Sequence, residues 1–148
     1  MTDTVARFLV PFLGHFALVG VLLVVLTIQR VGAVMAGEVK VSDYARANGD
    51  AARSRRVQRN LGNQFELPMF AYFAAAVLIA TSTVTESDII AAWVFFAGRV
   101  LHSGVQCLTD NVQLRGSVFC INAAAVFFLI WHVATLVWAV LGHAGAAP

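Results

Sequence analysis

Apolar positions fill four long stretches of the chain, and polar residues gather between them. From Phe8 to Gln29 there is no charged residue over 22 positions. A membrane-crossing helix needs about 20 predominantly apolar residues. Arg30 ends this run, and a polar stretch continues to about Arg59. A second apolar run, about 61–82, contains one acid, Glu66. A third, 89–108, contains Arg99 and His102, and a fourth, about 117–141, carries no formal charge. Short connections at 83–88 and 109–116 separate them. The pattern predicts an all-α, integral membrane four-helix bundle in one domain, 1–148. Its helices fall at about 8–29, 61–82, 89–108 and 117–141, with a polar loop at about 30–59. A cleaved signal peptide is the competing reading of the first run, with Val34-Met35-Ala36 as a small-residue cleavage site. The run exceeds the 7–15 residues or so of a signal core, and Arg30 separates it from that site, which favours a span.

Composition agrees and narrows the options. Hydrophobic residues make up 59% of the chain and charged residues 12%. That charge content is about half of a soluble domain's and excludes a disordered chain. A net charge of +2, with basic residues mostly in one loop, does not suit a nucleic-acid binder. Cys107 and Cys120 sit among apolar residues and read as inert thiols rather than a redox pair. His15, His132 and His143 stand apart from any ligand spacing, so no metal site is expected. His15 and His132 read as helix-contact or interface residues. Trp93, Trp131 and Trp138 suit interfacial belts or helix packing.

The distribution of charge gives orientation. Seven of the ten Lys and Arg lie between Arg30 and Arg59, and neither the 83–88 connection nor the tail holds any. The excess of positive charge places the first loop in the cytoplasm, with both termini outside. The connection holding Arg115 then lies on the same side as that loop. Asn48-Gly49-Asp50 marks a turn inside the loop, and the tail 142–148 is expected to fray. The run Arg53-Ser54-Arg55-Arg56 has two readings, a solvated topology signal or a binder of anionic headgroups, and the first is favoured.

Ionisable residues inside a span are costly and normally face the bundle interior or a wet cavity. Arg56, Arg59, Asn63 and Glu66 have offsets 0, 3, 7 and 10, which place them on one stripe of a continuous helix. Arg99, His102 and Gln106, at offsets 0, 3 and 7, form a second stripe. Arg115 falls in the first turn of the last helix, after an Asp110 or Asn111 cap, where free N–H groups and the helix dipole favour an anion or thiolate. Pro68 removes an N–H and should bend its helix near Glu66. Gly98, Gly104 and Gly116 permit close helix approach. Each polar residue alone is commonly structural glue, and Glu66 with Arg59 or Arg99 could form an ion pair. Together they favour a polar ligand, with arginine taking carboxylate and glutamate taking ammonium.

The segment from Arg56 to Pro68 resembles the signature of the MAPEG family, membrane-associated proteins in eicosanoid and glutathione metabolism. It carries Arg-x-x-Arg at Arg56 and Arg59, then Asn63, then Glu66 three later, with Pro68 nearby. Gly98-Arg99-Val100-Leu101-His102-Ser103 resembles the family's third-helix motif, and Arg115 has the spacing of the arginine that opens its last helix. The resemblance implies a homotrimer surrounded by membrane lipids, with glutathione bound between subunits toward the cytoplasm. It assigns Arg59, Asn63 and Glu66 to the glutathione backbone, Arg99, His102 and Gln106 to the same wall, and Arg30 to a further contact. Arg115 would stabilise the glutathione thiolate, which then attacks a lipophilic electrophile or a lipid hydroperoxide. Asn60 stands where many members have Ala, and Gln106 where glutathione-using members usually have Tyr. The sequence Thr109-Asp110-Asn111 before Arg115, together with the Asn-x-Phe-Glu-x-Pro pattern at 63–68, is similar to a bacterial branch, which implies a bacterial inner membrane.

The reading is therefore a glutathione-dependent transferase or peroxidase. The alternative is a non-catalytic membrane protein on the same scaffold that binds a lipid or other amphiphile. A third reading, a small transport or channel subunit, rests on intramembrane charge alone and has no second half or broken-helix pair behind it.

Overall fold

The computed structural model describes residues 2–46 and 49–144, with side chains through 142. The chain forms α1 (Asp3–Met35), a short 3-10 turn at Val41–Ala45, α2 (Ala52–Asn63), α3 (Leu67–Ala80), α4 (Glu86–Leu108) and α5 (Val112–Ala144). It is all-helical among the described residues. Four spans are long and apolar enough to cross a membrane, with α2 and α3 together making the second. The turn expected at Asn48 lies outside the described residues, as does the side chain of His143; of the tail expected to fray at 142–148, residues 142–144 continue α5 and the rest lie outside the described residues.

Helices α1, α4 and α5 exceed the apolar runs that announced them. α1 begins at Asp3, where the Thr2 hydroxyl caps the amide of Val5, and it continues past Arg30 to Met35. Gly37, at a positive φ of 72°, terminates it with the reversed backbone that glycine adopts most readily. α2 starts at Ala52, so the connection expected at about 30–59 contracts to 36–51. The reason is that 52–63 is polar and arginine-rich. It forms a surface helix whose inner face carries only Ser54, Val57 and Asn60, too few apolar positions to register as a span.

The bend expected near Pro68 is a complete interruption. α2 stops at Asn63, and α3 begins at Leu67 with Pro68 in its first turn, where a missing N–H leaves no hydrogen bond unmade. Glu66 therefore leaves the helical stripe drawn through Arg56, Arg59 and Asn63.

α4 is the central helix and packs against α1, α2 and α5, while α3 packs against α5 and α1 against α2. Half of its most apolar stretch is buried, against 22–33% in the other three spans. Phe8, Phe12, Leu78, Phe95, Val126 and Leu129 build the core, and Ala71, Ala74 and Ala75 let α3 lie close. Gly98 admits Asn122: a Cβ at this glycine would stand 2.8 Å from Asn122 Nδ2, which donates to the Phe95 carbonyl at 2.7 Å. Large apolar side chains such as Leu13, Phe73, Leu101, Phe127 and Trp131 point outward, as they do on a surface solvated by lipid.

Candidate functional site

Two polar layers meet where α2 ends. The inner layer is sealed. Arg99 is 1% exposed, which for a guanidinium requires full compensation. Its Nε donates to Gln64 Oε1 at 3.0 Å and its Nη2 to the Asn63 carbonyl at 2.7 Å. That carbonyl is one of those orphaned where α2 breaks, so Arg99 caps the helix end with hydrogen bonds and with charge. Gln64 is the hub. Its amide donates to Asn60 Oδ1 at 2.9 Å and Ser103 Oγ at 3.1 Å, and its Oε1 lies 2.9 Å from His15 Nε2. His15 Nδ1 is 2.6 Å from the Tyr72 hydroxyl. A ring protonated on Nε2 satisfies both contacts, donating to Gln64 and accepting from Tyr72.

The outer layer is open. Arg59, Asn63, Glu66, His102, Gln106 and Arg115 line a cavity of about 630 Å³ between α2, α4 and α5, with Gly62, Val112, Gly116 and Phe119 completing it. Gln106 Oε1 accepts from Asn63 Nδ2 at 2.9 Å and lies 2.9 Å from His102 Nε2. Both contacts fix the carboxamide. His102 is buried, and its Nδ1 has no hydrogen-bond partner among the described residues. Arg115 stands in the first turns of α5, whose start is capped by Asn111: its Oδ1 accepts from Leu114 N at 2.9 Å. Of the two caps expected from the sequence, the structure uses Asn111.

The charged side chains of this cavity are not spent on one another. Among the described residues, Arg59, Glu66 and Arg115 make no side-chain hydrogen bond and no ion pair. The pairing considered for Glu66 with Arg59 or Arg99 does not form, although the carboxylate charge does act on Arg99. The cavity thus presents two guanidinium groups and one carboxylate, together with fixed amide and imidazole groups. This set suits a ligand bearing carboxylates and an ammonium.

The structure places the sequence candidates in three groups. Arg59, Asn63, Glu66, His102, Gln106 and Arg115 come together. Arg99 lies behind them, where it holds the backbone that carries Asn63 and Glu66. Arg30 is elsewhere: its Nε and Nη2 donate to the two Asp50 oxygens at 2.7 and 2.8 Å, and its guanidinium lies over the Tyr44 ring. Arg56 keeps its place on α2 beside Arg59 but pairs with Asp110 at 2.9 Å and does not line the cavity. Sequence reasoning missed Asn60, Gln64, Ser103 and Tyr72. Their one signal was neutral polarity inside otherwise apolar or motif-bearing segments. His132, read as isolated, has a partner in Asp88 at 2.9 Å.

Among curated proteins and among solved structures, none matches the chain significantly. A family model does match, over residues 8–135, and that family is the MAPEG family.

Proposed function

Because the chain belongs to the MAPEG family, a family of membrane proteins of eicosanoid and glutathione metabolism, we propose that it is a membrane-bound glutathione-dependent transferase or peroxidase acting on lipophilic substrates. The single observation that carries this reading is the cavity in which Arg59, Glu66 and Arg115 stay unpaired. Guanidinium and carboxylate groups gathered around one cavity without partners are open to pairing with a ligand of matching charge.

Glutathione fits this donor set. It carries two carboxylates, an ammonium and a thiol. Arg59 meets a carboxylate and Glu66 the ammonium, while Asn63, Gln106 and His102 offer hydrogen bonds to the peptide groups. Arg99 holds the α2 end so that Asn63 and Glu66 keep their places. Arg115 lies toward the thiol, and its guanidinium favours the thiolate over the thiol, whose free pKa is about 8.5. The thiolate attacks an electrophilic carbon, the S–C bond forms, and the leaving group departs with its electron pair. With a hydroperoxide, attack on the terminal oxygen releases the alcohol and leaves a sulfenic acid, which a second glutathione converts to the disulfide and water. Three copies of the chain around the cavity would enclose it, with Arg30 of a neighbouring copy as a further contact. The arginine-bearing end faces the cytoplasm, and both termini lie outside.

Adding glutathione to the purified protein at neutral pH tests the proposal through thiolate ultraviolet absorbance. A thiolate signal is expected that Arg115→Ala abolishes and Arg46→Ala, on the surface loop, preserves. No signal in the wild type would leave the non-catalytic, amphiphile-binding reading. An unchanged signal in Arg115→Ala would refute the role of that residue.

A further inference from the structure

A second concavity shares no lining residue with the cavity of the proposed glutathione site. It is a groove of about 530 Å³ between α1, α2 and α4, within the roughly 300–1,000 Å³ of small-molecule sites. Its α1 wall runs from Leu18 through Leu22 and Val25 to Gln29, and Val100 and Leu108 of α4 face it. The walls are apolar apart from Ser103 and Cys107 of α4, and the end is charged and polar. Arg53 and Arg56 of α2 and Gln29 of α1 stand at the mouth, at the level where the charge-free run of the first span ends.

The dimensions match one layer of a bilayer. Leu18 to Gln29 covers about 16 Å of helix at about 1.5 Å per residue. Half of a hydrocarbon core about 30 Å thick is about the same length. A hydrocarbon chain entering at the mouth reaches the floor of the groove near the midplane.

The polar end has specific vacancies. Among the described residues, Arg53 makes no side-chain hydrogen bond and no ion pair. Arg56 holds Asp110 through Nη2 alone, at 2.9 Å, on an exposed surface. Gln29 Oε1 is buried with no hydrogen-bond partner and is an acceptor that calls for a donor. An anion beside Arg53 and Arg56 that also carries a hydroxyl satisfies all of these groups.

We propose that this groove binds one anionic glycerophospholipid with a hydroxyl-bearing headgroup, such as phosphatidylglycerol. One acyl chain lies along α1, the phosphate meets Arg53 and Arg56, and a headgroup hydroxyl donates to Gln29. The basic run Arg53–Arg56, expected from sequence chiefly to set topology, has this second use.

Gly104 supplies a test by obstruction. It lines the groove, and a Cβ built there meets no atom within 4 Å. Gly104→Phe therefore fills the groove without clashing at its first atom. The full chain is placed in bilayers of mixed phosphatidylcholine and phosphatidylglycerol, extracted in mild detergent, and its retained lipid identified by native mass spectrometry. The wild type is expected to keep phosphatidylglycerol in preference to phosphatidylcholine. Arg53→Gln is expected to lower that retention about fivefold, the effect of one basic residue near an anionic lipid. Gly104→Phe should remove it, and Arg46→Gln should not change it. Retention in the proportions of the bilayer would overturn the proposal. So would equal losses in Arg53→Gln and Arg46→Gln, which would mean diffuse charge attraction. A Gly104→Phe protein that keeps its lipid but falls to a smaller assembly would assign the groove to a second copy of the chain instead. The glutathione signal described above is independent of these readings, so either proposal can fail alone.

Discussion

The two ends of the bundle use charge in opposite ways. At the end formed by the start of α4, Arg7, Glu86, Asp88 and His132 all find partners within the chain. Asp88 is fully buried, accepts from the Thr85 amide and hydroxyl at 2.7 Å, and meets His132 at 2.9 Å. Arg7 clasps Glu86 through two hydrogen bonds of 2.8 Å. At the arginine-bearing end, Arg59, Glu66 and Arg115 surround a cavity and bind nothing within the chain. Both ends contain carboxylates and cations from different helices, so composition does not separate them. Closure does: the charges named at one end pair within the chain, and Arg59, Glu66 and Arg115 at the other do not.

Arg99 shows the same contrast inside the arginine-bearing end, because it is a charge spent on structure next to charges left free. Its loss is expected to have the largest effect. Arg99→Leu strands the Asn63 carbonyl and leaves Gln64 Oε1 with His15 as its one remaining donor, and a destabilisation of the order of 3 kcal/mol is expected. Thermal unfolding in detergent would register it, and a variant as stable as the wild type would mean that the inner layer is not a support.

Asp88→Asn tests the closed end. The substituted amide keeps its shape and loses the charge that His132 and the Thr85 groups answer. A loss of about 1–3 kcal/mol is expected, with glutathione binding unchanged. If binding fell with stability, the two ends would be coupled and the division between them would fail.

The smallest expected effect concerns the connection 36–51. Hydrogen bonds from Arg30, with help from Ser54, hold the Asp50 carboxyl below the usual carboxylate range. A group lowered in this way stabilises the fold above its unfolded-state value and loses that contribution as pH falls through its folded value. The connection should stay docked at neutral pH and loosen in acid, below the ordinary carboxylate range. Amide hydrogen exchange over 49–58 would follow it. Asp50→Asn should exchange faster than the wild type at neutral pH, and the difference should vanish in acid. A difference independent of pH would remove the ion pair from the account.

Much of this architecture is legible in the sequence, for identifiable reasons. Charge-free runs announce the spans because lipid tolerates little else. The cavity residues are legible because each is ionisable or amide-bearing within an apolar context. α2 is not, since an arginine-rich surface helix has no apolar stripe to betray it. The stripe through Arg56, Arg59, Asn63 and Glu66 brings the right residues together for partly the wrong reason. It assumes a continuous helix, whereas the break before Pro68 delivers Glu66 to the cavity from an irregular backbone. Gln64 is hidden because three of its four partners, His15, Arg99 and Ser103, lie 35 to 49 residues away and only Asn60 is local. His132 looks isolated because its partner is 44 residues away, in a turn whose Thr85 and Asp88 form a capping box.

Calorimetric titration of glutathione into the detergent-solubilised protein tests the comparison most directly. The wild type is expected to bind. Arg59→Gln and Glu66→Gln should each weaken binding about tenfold, the loss of one hydrogen bond to a charged group, and Arg7→Gln should bind as the wild type does. Absence of binding by the wild type, or equal affinity in all four proteins, would contradict the claim that the open end is left open for this ligand.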